Sequence, residues 1–312
     1  MVAVTQEALV ADEDLGQLLA QGERAAFHGP PGKAVDALSR AVEVAHAAGN
    51  TDASTAALWL LGVSLGACGR YGTALTTLQP VLEAGEGGTG SARLFGALAG
   101  ASLGSIRRQL GRHAEAREVD ERGLALTDGS GEAAFACLLG LAADAVGLND
   151  AKAAQQHVET AERLLPERPT EWWRQRVRLD WVRAEIALLD EDPESAVDAA
   201  EAAVERAERA RAPRHVAKSL LFQGVAQIQN GDLDGAAALR RAATLAEGLG
   251  ALPLVWPSRA VLGALLADSD PKESAASLGA ARGAVLASAG DLPDGLRKDW
   301  LARDEITALL GA

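Results

Sequence analysis

Apolar residues recur every three or four positions through most of this chain, a period that is typical of amphipathic α-helices. The segment 218–250 shows two such helices, separated by the turn residues Asn-Gly-Asp at 230–232. Small side chains let two helices approach closely, and they stand where this pair must touch. The first helix carries Leu220, Leu221, Gly224 and Ile228, and the second carries Ala236, Leu239, Ala243 and Ala246. The pattern predicts one helix–turn–helix hairpin.

A trio of mostly small residues recurs along the chain, with its second and third members twelve and nineteen positions after the first. The first members lie 38 to 42 residues apart, and turn residues follow each of them. A fixed period of this size indicates a solenoid, so we predict seven hairpins that start near residues 14, 54, 92, 133, 172, 215 and 257. The trios are Gly22, Ala34, Ala41; Gly62, Ala74, Val81; Gly104, Ala116, Gly123; Ala142, Ala154, Ala161; Ala184, Ala196, Ala203; Gly224, Ala236, Ala243; and Gly263, Ala275, Arg282.

The trio resembles the tetratricopeptide repeat (TPR), from about Asp14 to Ala289. The aromatic residue of the family's first helix is mostly replaced, for example by Leu65, and the closing proline is clear only as Pro166. Each unit is also longer than the family's roughly 34 residues, a form that looks like kinesin-light-chain repeats and the helical sensor domains of large bacterial transcription activators. The resemblance implies an all-α, right-handed α-solenoid with a concave inner face.

The C-terminal segment 294–310 predicts one further amphipathic helix, with Leu296, Trp300, Ile306 and Leu310 on its apolar face. The last unit of a solenoid must cover its exposed apolar face, so we expect this helix to cap the array. The prediction is therefore a single superhelical domain over residues 1–312.

The charge balance narrows the partners. The chain has a net charge of −13, which repels phosphate backbones, so we expect no nucleic-acid partner. The longest uncharged apolar run, about 56–69, is too short to cross a membrane, and the N-terminus lacks the basic start of a secretory signal. Cys68 and Cys137 lack metal-type spacing. These features favour a cytoplasmic protein, and they indicate no oligomeric state.

Local motifs offer little catalytic chemistry. The segment 28–34 imitates a phosphate loop but lacks its spacing and hydroxyl residue, so a hairpin turn is the better interpretation. The five histidines are scattered without a pair at ligand spacing, and we expect them to be exposed or to cap helices. No Ser–His–Asp or Cys–His neighbourhood is visible. We therefore expect no catalytic residues, no metal ligands and no cofactor.

One segment, 171–181, concentrates tryptophan and arginine in this acidic chain. On a helix, Arg174, Arg178 and Trp181 share one face, which Glu185 extends. The resemblance to TPR implies that this face lines the superhelix, together with Trp59, Arg108, Gln109, Lys218 and Gln229. The alternative is structural: Trp172 and Trp173 fill gaps between hairpins, and the arginines lie over acids such as Glu159 or Glu162.

Two functions remain open from the sequence. The first is a non-enzymatic interaction scaffold whose concave groove binds a protein or peptide segment with acidic and apolar side chains, because arginine pairs with carboxylates and tryptophan supplies contact area. The alternative is a sensor that binds a small molecule or signal peptide and controls a regulator in trans. An enzyme with a site inside the superhelix is a third possibility, and it would need a tight cluster of carboxylates or histidines there.

Overall fold

The computed structural model describes residues 6–167, 172–232 and 234–311, with side chains from residue 14 onward in these ranges. The described residues form sixteen α-helices and no strand, so the all-α prediction is confirmed. The helices are α1 Gln6–His28, α2 Pro31–Ala47, α3 Thr51–Ala67, α4 Tyr71–Gly87, α5 Ser91–Gln109, α6 His113–Ala125, α7 Gly131–Gly147, α8 Ala151–Glu162, α9 Trp173–Leu189, α10 Pro193–Arg209, α11 Pro213–Gln229, α12 Gly235–Leu249, α13 Leu252–Leu265, α14 Pro271–Gly290, α15 Asp294–Leu301 and α16 Asp304–Gly311.

Helices α1 to α14 pack in consecutive pairs as seven hairpins. Left-handed residues end many of these helices, such as Gly69 at φ 80° and Gly231 at φ 79°. After α3, the N–H of Arg70 reaches back to the carbonyl of Leu65 at 2.9 Å, as in a Schellman motif. The turns therefore fall where glycine and asparagine predict them.

Two predicted hairpin starts differ from the structure. The first helix begins at Gln6 rather than near residue 14, and α13 begins at Leu252 rather than near 257. Pro253 occupies the first turn of α13, where a missing N–H costs no hydrogen bond, so the helix starts there and Pro257 lies inside it.

Small residues make the contacts inside each hairpin. A Cβ built on Gly224 would lie 2.7 Å from Cγ of Leu239 and 2.9 Å from the carbonyl oxygen of Gly235. Ala236 is only half-buried, so Gly235 is the small partner in this hairpin. In the seventh hairpin Ala275 is exposed, and the Ser274 hydroxyl instead donates to the Gly263 carbonyl at 2.7 Å. The second member of the trio is thus wrong by one position in the last two hairpins. In both, the residue that packs against the first helix comes one position earlier in the sequence, at Gly235 and Ser274.

The predicted single capping helix over 294–310 is wrong, because the chain turns at residues 302–303 and forms α15 and α16. The N–H of Thr307 bonds to the carbonyl of Arg303 at 2.8 Å and starts the second helix. Trp300 on α15 is 1% exposed and Ile306 on α16 is 0% exposed. The bend at residues 302–303 lets both Trp300 and Ile306 reach the core.

The C-terminal helices also pack against early hairpins. Asp291 accepts hydrogen bonds from the Thr73 N–H at 2.8 Å and from the Thr73 hydroxyl at 2.6 Å. Trp300 meets Tyr71 edge-on, with ring centroids 5.9 Å apart. We call these contacts the closing seam, and through them the solenoid curls back on itself around an internal cavity. None of the helices in the described ranges combines the length and apolarity that a bilayer crossing requires.

Candidate functional site

The inner face of the solenoid lines a cavity of about 590 Å³ that is open to solvent on one part of its surface. The first helix of each of the seven hairpins contributes to its wall, and His113 of α6 adds one more side chain. In this cavity the inner face is therefore built almost entirely from the first helices, as the resemblance to TPR implies.

Most of the residues predicted for the inner face meet in this cavity. Eight of them line it: Trp59, Arg108, Gln109, Arg174, Arg178, Trp181, Glu185 and Lys218. The ninth, Gln229, is exposed at the end of α11 and is not among the lining residues. It lies eleven residues beyond Lys218, or about 16 Å along the helix axis at 1.5 Å per residue. Helical periodicity identified its face but not its distance from the cavity.

Helix α9 supplies four of these residues because its inner face repeats at the helical period. Trp172, in the left-handed conformation at φ 52°, precedes the helix. Its ring packs edge-on against Phe135 at 6.0 Å, and Trp173 packs edge-on against His215 at 5.1 Å. The structural interpretation therefore holds for these two tryptophans. The segment's first residue, Glu171, lies outside the described residues.

The structure gives different partners to the arginines. Arg174 stacks over Phe27 with 4.2 Å from Cζ to the ring centroid, and its Nη2 lies 3.6 Å from a carboxylate oxygen of Glu132. Glu162 pairs with Arg183 instead, at 2.8 Å, on the outer side of α9. Phe27 belongs to the first hairpin, so α9 meets the opposite end of the array across the cavity.

Arg108 is held by two buried carboxylates. Its Nη1 donates to Asp120 at 2.5 Å, to Asp144 at 2.8 Å and to the Gly140 carbonyl at 3.1 Å. Gly104 and Gly140 flank Asp120, and a Cβ on either would collide with its carboxylate. Burial raises the pKa of Asp120, so this pair of carboxylates favours holding a proton between them. Asp120 and Asp144 therefore compensate the charge of Arg108.

Sequence reasoning missed both carboxylates, and one of them carried a signal. Asp120 lies between Ala116 and Gly123 on the apolar face of its helix, where a charged side chain is costly unless it is paired.

Lys218 lies against aromatic rings. Its Nζ is 4.4 Å from the Trp181 ring centroid and 5.5 Å from that of Phe222. Burial lowers the pKa of Lys218 to about 8, against the opposing attraction of Glu185. Burial likewise raises the pKa of Glu185, and Lys218 opposes that shift. These two charges compensate each other within the cavity.

Arg214 and His215 line the cavity and were not predicted. Arg214 lies one helical turn before Lys218, so the i, i+4 spacing is the signal that would have found it. Its Nη2 donates to the Ala26 carbonyl of α1 at 3.3 Å, while its Nε is buried without a partner among the described residues. Burial and the nearby Arg174 lower its pKa to about 10.

His215 corrects the expectation of exposed or capping histidines, because it is 4% exposed. Its ring stacks on Trp181 with centroids 5.5 Å apart and an interplanar angle of 19°. Burial, reinforced by surrounding cations such as Arg214, holds the pKa of His215 well below its usual range. The ring is therefore neutral at pH 7. Its Nδ1 is buried without a hydrogen-bond partner in the described part of the chain.

The arrangement is suited to binding anions beside aromatic surface. Among the described residues, no group of three or more His, Cys, Asp or Glu side chains is placed to hold a metal ion. The wall instead combines guanidinium groups, which match oxygen anions bidentately, with tryptophan rings that offer rigid contact area. Trp59 is held by its Nε1 bond to Ser102 at 3.2 Å, and Gln109 accepts from Tyr71 at 3.1 Å.

The fold is that of an all-α solenoid of TPR-like helical hairpins. No protein-family model matches the sequence, and no curated protein sequence matches it. Among solved structures, the chain is similar to a Rap protein complexed with competence and sporulation factor, with a TM-score of 0.62 and 12% identity over 98% of this chain and 86% of that one.

Two further solved structures are similar at lower scores. The apo form of RapI matches with a TM-score of 0.48 and 13% identity, over 97% of this chain and 84% of that chain. A tetratricopeptide repeat protein from Parabacteroides merdae matches with a TM-score of 0.42 and 12% identity, over 96% and 99% of the two chains. At such identities the likeness to the first Rap protein establishes the fold alone.

Proposed function

We propose that this protein is a non-enzymatic binding module that holds a short protein or peptide segment in its internal cavity. One observation carries the proposal: eight of the nine residues predicted for the inner face, from four different helices, line one cavity. The similar Rap protein is described in complex with competence and sporulation factor, which agrees with a solenoid of this kind acting by binding.

The size of the cavity limits the ligand. About 590 Å³ lies within the range of roughly 300–1,000 Å³ that small-ligand sites occupy. The proposed ligand is therefore a segment of a few residues.

The wall chemistry selects the side chains of that segment. Trp59, Trp181 and Trp256 offer apolar surface, while Arg178 and Lys218 offer positive charge next to it. A segment that carries both carboxylates and apolar side chains complements this wall, because each kind of group finds a partner without leaving a buried charge unpaired.

Charge reversal inside the cavity tests this function. A tagged protein is used to capture its partner from native cytosol, and the capture is repeated with Arg178→Glu and with Lys218→Glu. We expect both variants to lose the captured partner, because a carboxylate in the wall repels a carboxylate in the segment. Arg209→Glu is the matched control, since Arg209 is 68% exposed on α10 and outside the cavity. Retained capture by variants whose circular dichroism is unchanged would exclude this cavity.

The second candidate is a sensor that binds a small molecule and controls a partner in trans, and a cavity volume in the range of small-ligand sites favours it. A thermal-shift screen separates the two candidates, because a ligand that binds the folded state raises the melting temperature. Stabilisation by a metabolite without any peptide supports the sensor. Stabilisation by short peptides alone supports the binding module.

A further inference from the structure

We infer that the ligand brings two separate carboxylate groups into the cavity, one to Arg178 on α9 and one to Arg214 on α11. This inference rests on the proposed function, since it concerns the same cavity. The two carboxylates can belong to a free dicarboxylic acid or to a peptide whose last residue is acidic, where the side chain and the chain end each supply one.

The charge balance of the cavity leads to this count. Five cationic side chains among the described residues line it: Arg108, Arg174, Arg178, Arg214 and Lys218. Three of them have acidic neighbours: Asp120 and Asp144 pair with Arg108, Glu132 lies 3.6 Å from Arg174, and Glu185 acts on Lys218. His215 is neutral at pH 7 because its pKa is well below its usual range. Two positive charges are left over.

Arg178 and Arg214 have no carboxylate within ion-pair distance in the described part of the chain. Asp120, which Arg108 already holds, acts on Arg178 only from beyond that distance. Arg178 makes no hydrogen bond or ion pair there, and Arg214 makes one bond to the carbonyl of Ala26. Leaving a half-buried guanidinium without a carboxylate at contact distance is costly, and the chain has 43 acidic residues that could have supplied partners. Burial and neighbouring cations lower the pKa of each arginine to about 10, so both remain charged at pH 7.

The positions of the two arginines favour two groups rather than one. They stand on different helices, and the Trp181–His215 stack packs between these helices. A guanidinium fork matches the two oxygens of one carboxylate, so each arginine can take its own. Arg214 also lies in the first turn of α11, whose N-terminus has no side-chain cap and so adds positive potential.

Two measurements on the full chain test the inference. The first is the melting temperature of the free protein at pH 7. Arg178→Met and Arg214→Met should each raise it, because each removes a half-buried charge that has no carboxylate at contact distance, while keeping an apolar stem. A purely structural arginine would lower it when replaced. Arg209→Met, at the exposed position on α10, should leave it unchanged.

The second measurement is calorimetric titration with defined probes: succinate, glutarate, inorganic phosphate, and a pool of short peptides ending in Asp or Glu, with the same pool amidated at its C-terminus. We expect binding of a dicarboxylate or of the free acidic pool, at least tenfold weaker binding by either methionine variant, and loss on amidation if the source is a peptide. Binding of phosphate alone overturns the inference in favour of a single anionic group.

The outcomes separate this inference from the proposed function. Equal binding of the amidated pool and the free acidic pool by the wild type overturns the two-carboxylate inference and leaves the binding module standing. No binding by any peptide pool or dicarboxylate, together with methionine variants that melt at or below the wild type, overturns both.

Discussion

Arg108 on α5 and Arg178 on α9 line the same cavity two hairpins apart, yet their surroundings give them opposite roles. Arg108 is fixed by Asp120 and Asp144, and its charge completes a buried network. Arg178 faces the cavity without a partner among the described residues, and burial lowers its pKa to about 10. The identity of a residue therefore does not decide its role here; the presence of compensating carboxylates does.

Replacing Arg108 should lower the stability of the folded protein, whereas replacing Arg178 should raise it. Arg108→Met leaves Asp120 and Asp144 buried without their cation, and breaking such a pair costs about 3–5 kcal/mol of unfolding free energy. Urea denaturation at pH 7 measures this loss, with Arg209→Met as the control. The loss should shrink at acidic pH, where both carboxylates are neutral. A loss below about 1 kcal/mol would contradict the buried network.

Lys218 gives a pH-dependent signature. Its pKa is about 8 in the folded protein, while an unfolded lysine titrates near about 10.4. Between these values the unfolded state binds more protons, so the unfolding free energy contributed by Lys218 rises with pH from about 8 to about 10. We expect the wild type to gain stability relative to Lys218→Met over this interval, as measured by urea denaturation at several pH values. Lys298→Met, at an exposed position on α15, should show no such difference; parallel curves for Lys218→Met would contradict the prediction.

At the scale of elements, each hairpin depends on close approach of two helices through glycine and alanine. In the sixth hairpin glycine faces glycine, because Gly224 and Gly235 lie opposite each other. Alanines such as Ala74 and Ala196 are fully buried at the same kind of position. Because these side chains are so small, even one added methyl group must push the helices apart.

A matched pair of substitutions tests this packing. In Gly224→Ala the new Cβ would meet Cγ of Leu239 at 2.7 Å and a backbone oxygen at 2.9 Å, so we expect a loss of about 1–3 kcal/mol. Gly279→Ala, on the exposed face of α14, meets nothing within 4 Å and should gain roughly 0.5–1 kcal/mol from better helix propensity. Both are measured by denaturant unfolding. Equal changes in the unfolding free energy of the two variants would show that stability does not depend on the close approach at Gly224.

At the scale of the whole molecule, the closing seam turns an open superhelix into one that surrounds a cavity. Asp291 joins the end of α14 to the first turn of α4, and Arg112 pairs with Asp299 at 3.0 Å. On the opposite side of the cavity, Arg214 reaches Ala26. The wall of the cavity is thus completed by contacts between residues about two hundred positions apart.

Asp291→Ala should loosen this seam. The substitution removes both hydrogen bonds from the half-buried Thr73 to a carboxylate, which costs about 1.5–3 kcal/mol. We expect faster amide hydrogen exchange at residues 69–73 and 288–292, while the inner helices keep their protection. Asp268→Ala serves as the control, since Asp268 is exposed in the turn before α14. Unchanged exchange at both segments would show that the seam does not depend on this contact.

The fold was predictable because each hairpin is local. Two helices joined by a short turn bury their small residues against each other, and that pattern repeats every 38 to 42 residues in the sequence. The inner face was predictable for the same reason, since residues such as Arg174, Arg178 and Trp181 follow one helical period. Register errors appeared where periodicity alone was used, at Ala236, Ala275 and Gln229.

The sequence by itself determined the helices, the hairpins and the side of each first helix that faces inward, because these follow from interactions between residues close along the chain. Tertiary structure alone decided that the array closes, that Asp120 and Asp144 neutralise Arg108, and that Arg214 and His215 join Arg178. These pairings bring together segments that are distant in sequence. Which segments meet depends on the total rotation that successive hairpins add along the array, and no local sequence period specifies that total. The charge left unpaired in the cavity is therefore visible only in the folded molecule.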